Sequence, residues 1–237
     1  MKRLWLLLVS PLAVMLAQCS TPGMDNARLS RLEAKQDSIL KLLTAMQEKN
    51  EFMAMRMGWR PPADTTPKSI PIGNAPVQGP AGARLTIIEF SDLQCPYCAQ
   101  SAPILDSIAH AYPNDVKIVF KHFPLSFHPQ SRPAAAAAIA AGKQGKFFEF
   151  RYKVAPHFRE LNDSVYLAVA KEIGLNLGQF KKDMALTPEV TRILEADMDL
   201  GRKIGVEGTP TIFVNGRLSQ DRSFDYFEKL IKQSKAN

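Results

Sequence analysis

Residues 84–98, RLTIIEFSDLQCPYC, run from a continuous apolar and β-branched stretch straight into two cysteines two residues apart. An uninterrupted run of that kind reads as a strand buried on both faces, with helices covering it. The C-x-x-C that follows opens a helix, expected to run to about Ala111. Few folds place a thiol pair at a strand–helix junction, so this stretch constrains the chain more than any other.

The junction makes the two cysteines chemically unequal. At a helix start, the sulfur of Cys95 faces free backbone N–H groups and the positive end of the helix dipole. Both favour the thiolate, so Cys95 is the expected nucleophile. Cys98, one turn on, is placed to resolve a mixed disulfide. Pro96 suits the first helical position, where its missing N–H would have no partner. A zinc site needs four ligands, or three and a water. There is no second C-x-x-C, and the four histidines lie elsewhere along the chain. A purely structural disulfide does not require this context. The pair therefore reads as a redox centre, with no metal and no dissociable cofactor expected.

The rest of the chain narrows its setting. The net charge of +7 falls to +5 if a leader carrying Lys2 and Arg3 is removed. No dense basic run with interleaved aromatics occurs, which argues against nucleic acid as a partner. MKRLWLLLVSPLAVMLAQCS has the basic start and short apolar core of an export signal, too short to span a bilayer comfortably. Its ending, LAQC, resembles the lipobox of bacterial lipoproteins, whose cysteine is acylated; a plain secretory signal or an uncleaved anchor are the alternatives. On that resemblance Cys19 is the lipidation site and Ser20 directs the protein to the outer membrane. Lipid on Cys19 would leave one C-x-x-C in a compartment that permits disulfides.

Residues 20–60 read as an oligomerisation stalk. Leu29, Leu32, Gln36, Ile39, Leu43, Met46, Asn50, Met53 and Met57 recur in steps of three and four, as along a coiled-coil seam. Leu40 and Leu42 flank the seam and widen it, favouring three chains over two. Residues 61–68 form a proline-rich linker, and 69–237 the main domain, with an edge strand expected around Ser69–Ile72. VKIVFKHF is the next strand, followed by an alanine-rich helix from Ser131 or Pro133 to Gly142. Helices are expected at about 145–155, 162–173, 176–184 and 187–204. GTPTIFVNGR then reads as a strand and an Asn215–Gly216 hairpin turn, with a closing helix over 223–234.

Three stretches, EFSDLQCPYC, FKHFPLSFHPQSRPAAAAAIAAGKQGKFFEF and GVEGTPTIFVNG, together resemble the DsbA-like thiol–disulfide oxidoreductases of the bacterial envelope, within the thioredoxin superfamily. The resemblance implies an α/β thioredoxin fold with a helical insertion at about 130–200. It implies a cis Thr209–Pro210 bond beside the cysteines, where Thr209 pairs with an extended client peptide. Pro96 and Tyr97 join Thr209 and Pro210 as the expected client-binding residues. Glu89 matches the family's buried acid, expected to carry a raised pKa and to shuttle the Cys98 proton, with Lys121 as its partner. Tyr97 stands where the strongest oxidants of the family have histidine, implying a milder Cys95. His122 and His128 are expected to be ordinary packed or surface residues.

The reading is an envelope oxidoreductase acting on proteins with thiols or disulfides, an isomerase or reductase, served by a membrane redox partner. It is expected to be a periplasmic homo-oligomer held to the outer membrane by lipid. The alternatives are a DsbA-type oxidase, or a soft-metal-binding or chaperone protein on the same fold.

Overall fold

A computed structural model describes residues 26–56 and 66–236. The expected export signal, Cys19, Met57 and the first part of the linker lie outside these residues. The chain divides into two compact units, 1–62 and 63–237.

In the first unit, the described residues form one helix, α1, Asn26–Arg56. No glycine or proline interrupts it. Leu32, Ile39, Leu43, Met46 and Met53 are each more than half exposed along it. Among the described residues, no helix is long and apolar enough to cross a membrane.

The second unit is built on a five-stranded sheet. Its strands are β1 (Val77–Gln78), β2 (Leu85–Ser91), β3 (Val116–His122), β4 (Thr211–Val214) and β5 (Arg217–Leu218), in the order β1-β3-β2-β4-β5. β2 and β3 are parallel and joined by α2, Pro96–Ala111; the other pairings are antiparallel. Asn215 and Gly216, both at positive φ, make the β4–β5 turn, the geometry that matches strand twist in a two-residue hairpin. A closing helix, α8, covers Phe224–Ala236. This is the α/β thioredoxin core that the sequence implied.

Five helices are inserted between β3 and β4: α3 (Ser131–Lys143), α4 (Phe147–Val154), α5 (Asp163–Glu172), α6 (Leu177–Asp183) and α7 (Pro188–Lys203). The side chains of Asn162, Asn176 and Thr187 cap α5, α6 and α7 by accepting from the N–H three residues on, each worth about 1 kcal/mol. The alanines of α3 are all buried, and their small side chains let α4, α5 and α6 close around them.

The two faces of the sheet carry different cores. Ile87, Ile118 and Ile212 pack against α2 and α8 with Leu105 and Phe227. On the opposite face, Ile88, Phe90, Val119 and Phe213 pack against Ile70, Ile72 and the end of α7. Gly201 lets α7 lie close there, since a Cβ would sit 2.7 Å from the Phe123 ring. The expected edge strand at Ser69–Ile72 is not a strand. Pro71 cannot donate a ladder bond, and residues 70 and 72 instead contribute to this core. The edge strand falls later, with Val77 opposite Val119.

Candidate functional site

Cys95 is the capping residue immediately before α2. Its backbone is extended (φ −74°, ψ 126°), and its carbonyl accepts the first helical bond, from Ala99 N at 3.0 Å. Pro96 is the first helical residue, as its missing N–H predicts. No side-chain oxygen caps the helix, so the thiol occupies the place where a capping oxygen would sit. The Cys95 thiol is lowered to about 5, first by the hydrogen bond from Cys98, then by Thr209 and the amides of Cys98 and Tyr97, with burial opposing. Its Sγ lies 3.4 Å from the carbonyl of Thr209, and the Thr209–Pro210 bond is cis. Tyr97 is 61% exposed beside it. A groove of about 330 Å³, lined by Tyr97, Gln100, Ile104 and Arg222, opens next to this ring.

Cys98 is the inner thiol. Burial pushes its pKa well above the ordinary value, and the hydrogen bond to Cys95 and the charge of Glu89 push the same way. Both cysteines are free thiols. Beneath Cys98, Ser101 Oγ lies 2.6 Å from Glu89 Oε1 and 3.0 Å from the Cys98 carbonyl. Glu89 is fully buried and ion-paired with the Arg151 guanidinium, which also stacks 5.2 Å from the Phe120 ring.

Arg151 replaces Lys121 in the expected role. In the parallel register Glu89 stands opposite Phe120, and Lys121 opposite Phe90. Alternate residues point to opposite faces, so Lys121 lies on the other side of the sheet from Glu89. There its Nζ is 2.9 Å from Asp197 Oδ1 and 2.9 Å from the carbonyl of Ile72. Asp197 also accepts from the amide of His122 at 2.9 Å. His122 is a packed residue, 1% exposed, and burial lowers its pKa to about 4.

Sequence reasoning missed Arg151, Ser101 and Asp92. Arg151 had one visible sign, a lone cation in the aromatic run FFEFRY. Asp92 had none. Its backbone N–H points at Cys98 Sγ, 3.4 Å away. Its carboxylate is buried and accepts from Gln94 N at 2.8 Å and Leu125 N at 3.0 Å. His128 Nδ1 lies 2.7 Å from the same carboxylate. His128 is a packed residue, as expected, and its contact ties it to the loop that carries Cys95. Among the described residues, no group of three His, Cys, Asp or Glu could hold a metal ion.

Residues 72–233 match the family model described as Thioredoxin. A 142-residue stretch is 39% identical to part of the Na+/H+ antiporter NhaA 1 of Salinispora arenicola, covering 60% of this chain and 22% of that protein. The chain thus spans about a fifth of the length of the curated relatives it matches. Among solved structures, a thioredoxin-like oxidoreductase from Silicibacter pomeroyi is 30% identical, with a TM-score of 0.58 over 70% of this chain and 94% of that one. BdbD from Bacillus subtilis is 25% identical, with a TM-score of 0.61 over 74% of this chain and 100% of that one. The thiol-disulfide exchange protein α-DsbA2 from Wolbachia pipientis, 20% identical, has a TM-score of 0.60 over 68% and 87% and shares the fold. With its C-x-x-C at the head of α2 and a family match over residues 72–233, the chain belongs to the thioredoxin family.

Proposed function

We propose that the protein is a thiol–disulfide oxidoreductase of protein clients, with Cys95 as nucleophile and Cys98 as resolving thiol. The observation that carries this reading is the opposed acidity of the two thiols, one lowered to about 5 at the helix start and one raised by burial behind it. The Cys95 thiolate attacks a client disulfide, forming a Cys95–client bond and releasing one client thiolate, which takes up a proton. Cys98 then gives up its proton, attacks the Cys95 sulfur and releases the second client thiol. The protein ends oxidised and the client reduced. In isomerisation the released client thiol returns to the mixed disulfide before Cys98 does. Thr209 and Tyr97 flank Cys95 as client-binding residues, and Glu89 is placed to take the Cys98 proton.

The isomerase or reductase direction rests on Tyr97, which supplies no positive charge, and on a stalk that gathers several heads. The exposed Leu32, Ile39, Leu43 and Met46 of α1 favour an oligomer, and Leu40 and Leu42, which widen the seam, favour a trimer ahead of a dimer. Periplasmic location, an outer-membrane lipid anchor at Cys19 and a membrane redox partner complete the reading. A net oxidase is the second reading, favoured by the low Cys95 pKa, since an acidic thiol leaves easily and makes a disulfide oxidising.

The test is the full chain with scrambled ribonuclease and, separately, with reduced ribonuclease. Faster recovery of activity from the scrambled protein, lost in Cys95→Ser, is the expected result. Efficient oxidation of the reduced protein without isomerisation selects the oxidase reading. No mixed disulfide with either client in Cys98→Ala would overturn the oxidoreductase reading altogether. Deleting residues 20–60 should leave a monomer that still forms mixed disulfides but has lost isomerisation; a monomeric intact protein in light scattering would overturn the stalk.

A further inference from the structure

We propose that Asp92 and His128 are positioning residues for the resolving step, fixing one backbone N–H on the sulfur of Cys98. This rests on the oxidoreductase reading above and concerns only how its inner thiol is handled. When Cys98 attacks the Cys95–client disulfide, the Cys98–Cys95 bond forms, the Cys95–client bond breaks, and the client sulfur leaves as a thiolate that takes up a proton. Cys98 must lose its own proton first, in a place that opposes the anion. Burial and the charge of Glu89 both disfavour it, and the Asp92 N–H, 3.4 Å from the sulfur, favours it.

A peptide N–H can help only if its direction is held. The Asp92 side chain does this. One carboxylate oxygen accepts from the amide of Gln94 and the other from the amide of Leu125. His128 is the third partner, at 2.7 Å. A carboxylate only accepts, so His128 Nδ1 must carry the hydrogen. Gln94 extends the tie, its Oε1 accepting from Gln130 N at 2.7 Å. Two side chains of the loop before Cys95 therefore grip the segment that leads into α3. The cysteine loop and the helical insertion form one hydrogen-bonded unit behind Cys98.

The experiment uses the full-length protein carrying a preformed Cys95–glutathione mixed disulfide, and follows the release of glutathione. His128→Ala should slow release about tenfold, the loss of one positioned hydrogen bond. Alkylation of Cys95 by iodoacetamide should stay within about twofold, because the groups that acidify Cys95 are untouched. His128→Asn, whose amide can donate from the position of Nδ1, should restore release. Asp92→Asn should slow release, since in either orientation its NH2 group faces a donor, Gln94 N on one side or Leu125 N and His128 on the other. Release unchanged in His128→Ala overturns the proposal. So does an equal fall in Cys95 alkylation, or a slow His128→Asn. Failure of the wild-type mixed disulfide to resolve through Cys98 would overturn the oxidoreductase reading as well, which separates the two failures.

Discussion

The two faces of the β2–β3 pair each bury an acid–base pair that reaches into the helical insertion. Glu89 meets Arg151 of α4 on one face, and Lys121 meets Asp197 of α7 on the other. Both are nearly inaccessible, and their surroundings differ. Glu89 shares Ser101 with Cys98, and its charge bears on that thiol. Lys121 and Asp197 bond instead to backbone, the carbonyl of Ile72 and the amide of His122. One pair lies under the two cysteines, while the other ties the segment around Ile72 and α7 to the sheet. Burial and pairing alone do not distinguish the two pairs; what their remaining contacts reach does.

The largest effects should not separate the two faces. Arg151→Met or Lys121→Met would each leave a buried carboxylate unpaired, costing about 3–5 kcal/mol. Urea unfolding should show both losses. Slower glutathione release from folded Lys121→Met protein would contradict the difference between the two faces.

Conservative changes should separate them. Glu89→Gln can keep hydrogen bonds to Ser101 and Arg151 but cannot take a proton, and should slow Cys98-dependent release about a hundredfold, at the low end for loss of a proton acceptor. Asp197→Asn should leave release within about twofold. Removing the Glu89 charge also lowers the Cys98 pKa. Release that quickens in Glu89→Gln would therefore show that Glu89 acts by charge alone.

The smallest effect concerns pH. His122 has a folded-state pKa of about 4 against an ordinary 6.5. Between those values the unfolded chain binds the extra proton, so stability falls as pH drops from 6.5 to 4 and levels off below. His122→Asn should remove about one proton from that acid limb, read by urea unfolding across pH, without altering Cys95 alkylation. An unchanged limb would mean that His122 is not neutral in the core.

Much of this was legible in the sequence. The continuous apolar run of β2, Pro96 after Cys95 and the Asn215–Gly216 turn each have a local cause, and each appears where that cause puts it. The exchange of Lys121 for Arg151 was not legible, because it turns on a face. Glu89 and Lys121 lie on adjacent parallel strands, and the register that separates them depends on where β3 begins. Arg151 is 62 residues from Glu89, and only the packing of α4 brings it there. Asp92 reads as an ordinary loop residue because its role lies in the direction of its backbone N–H. The edge strand was misplaced for a local reason, the proline at position 71.

The asymmetry of the two thiols is tested most directly by pH-dependent alkylation. In the reduced full-length protein, Cys95 should react with iodoacetamide along a curve whose midpoint lies near pH 5. Cys98 should stay unreactive well past the ordinary thiol value, as burial requires. A midpoint for Cys95 near that ordinary value, or a Cys98 that ionises first, would contradict the assignment of nucleophile and resolving thiol.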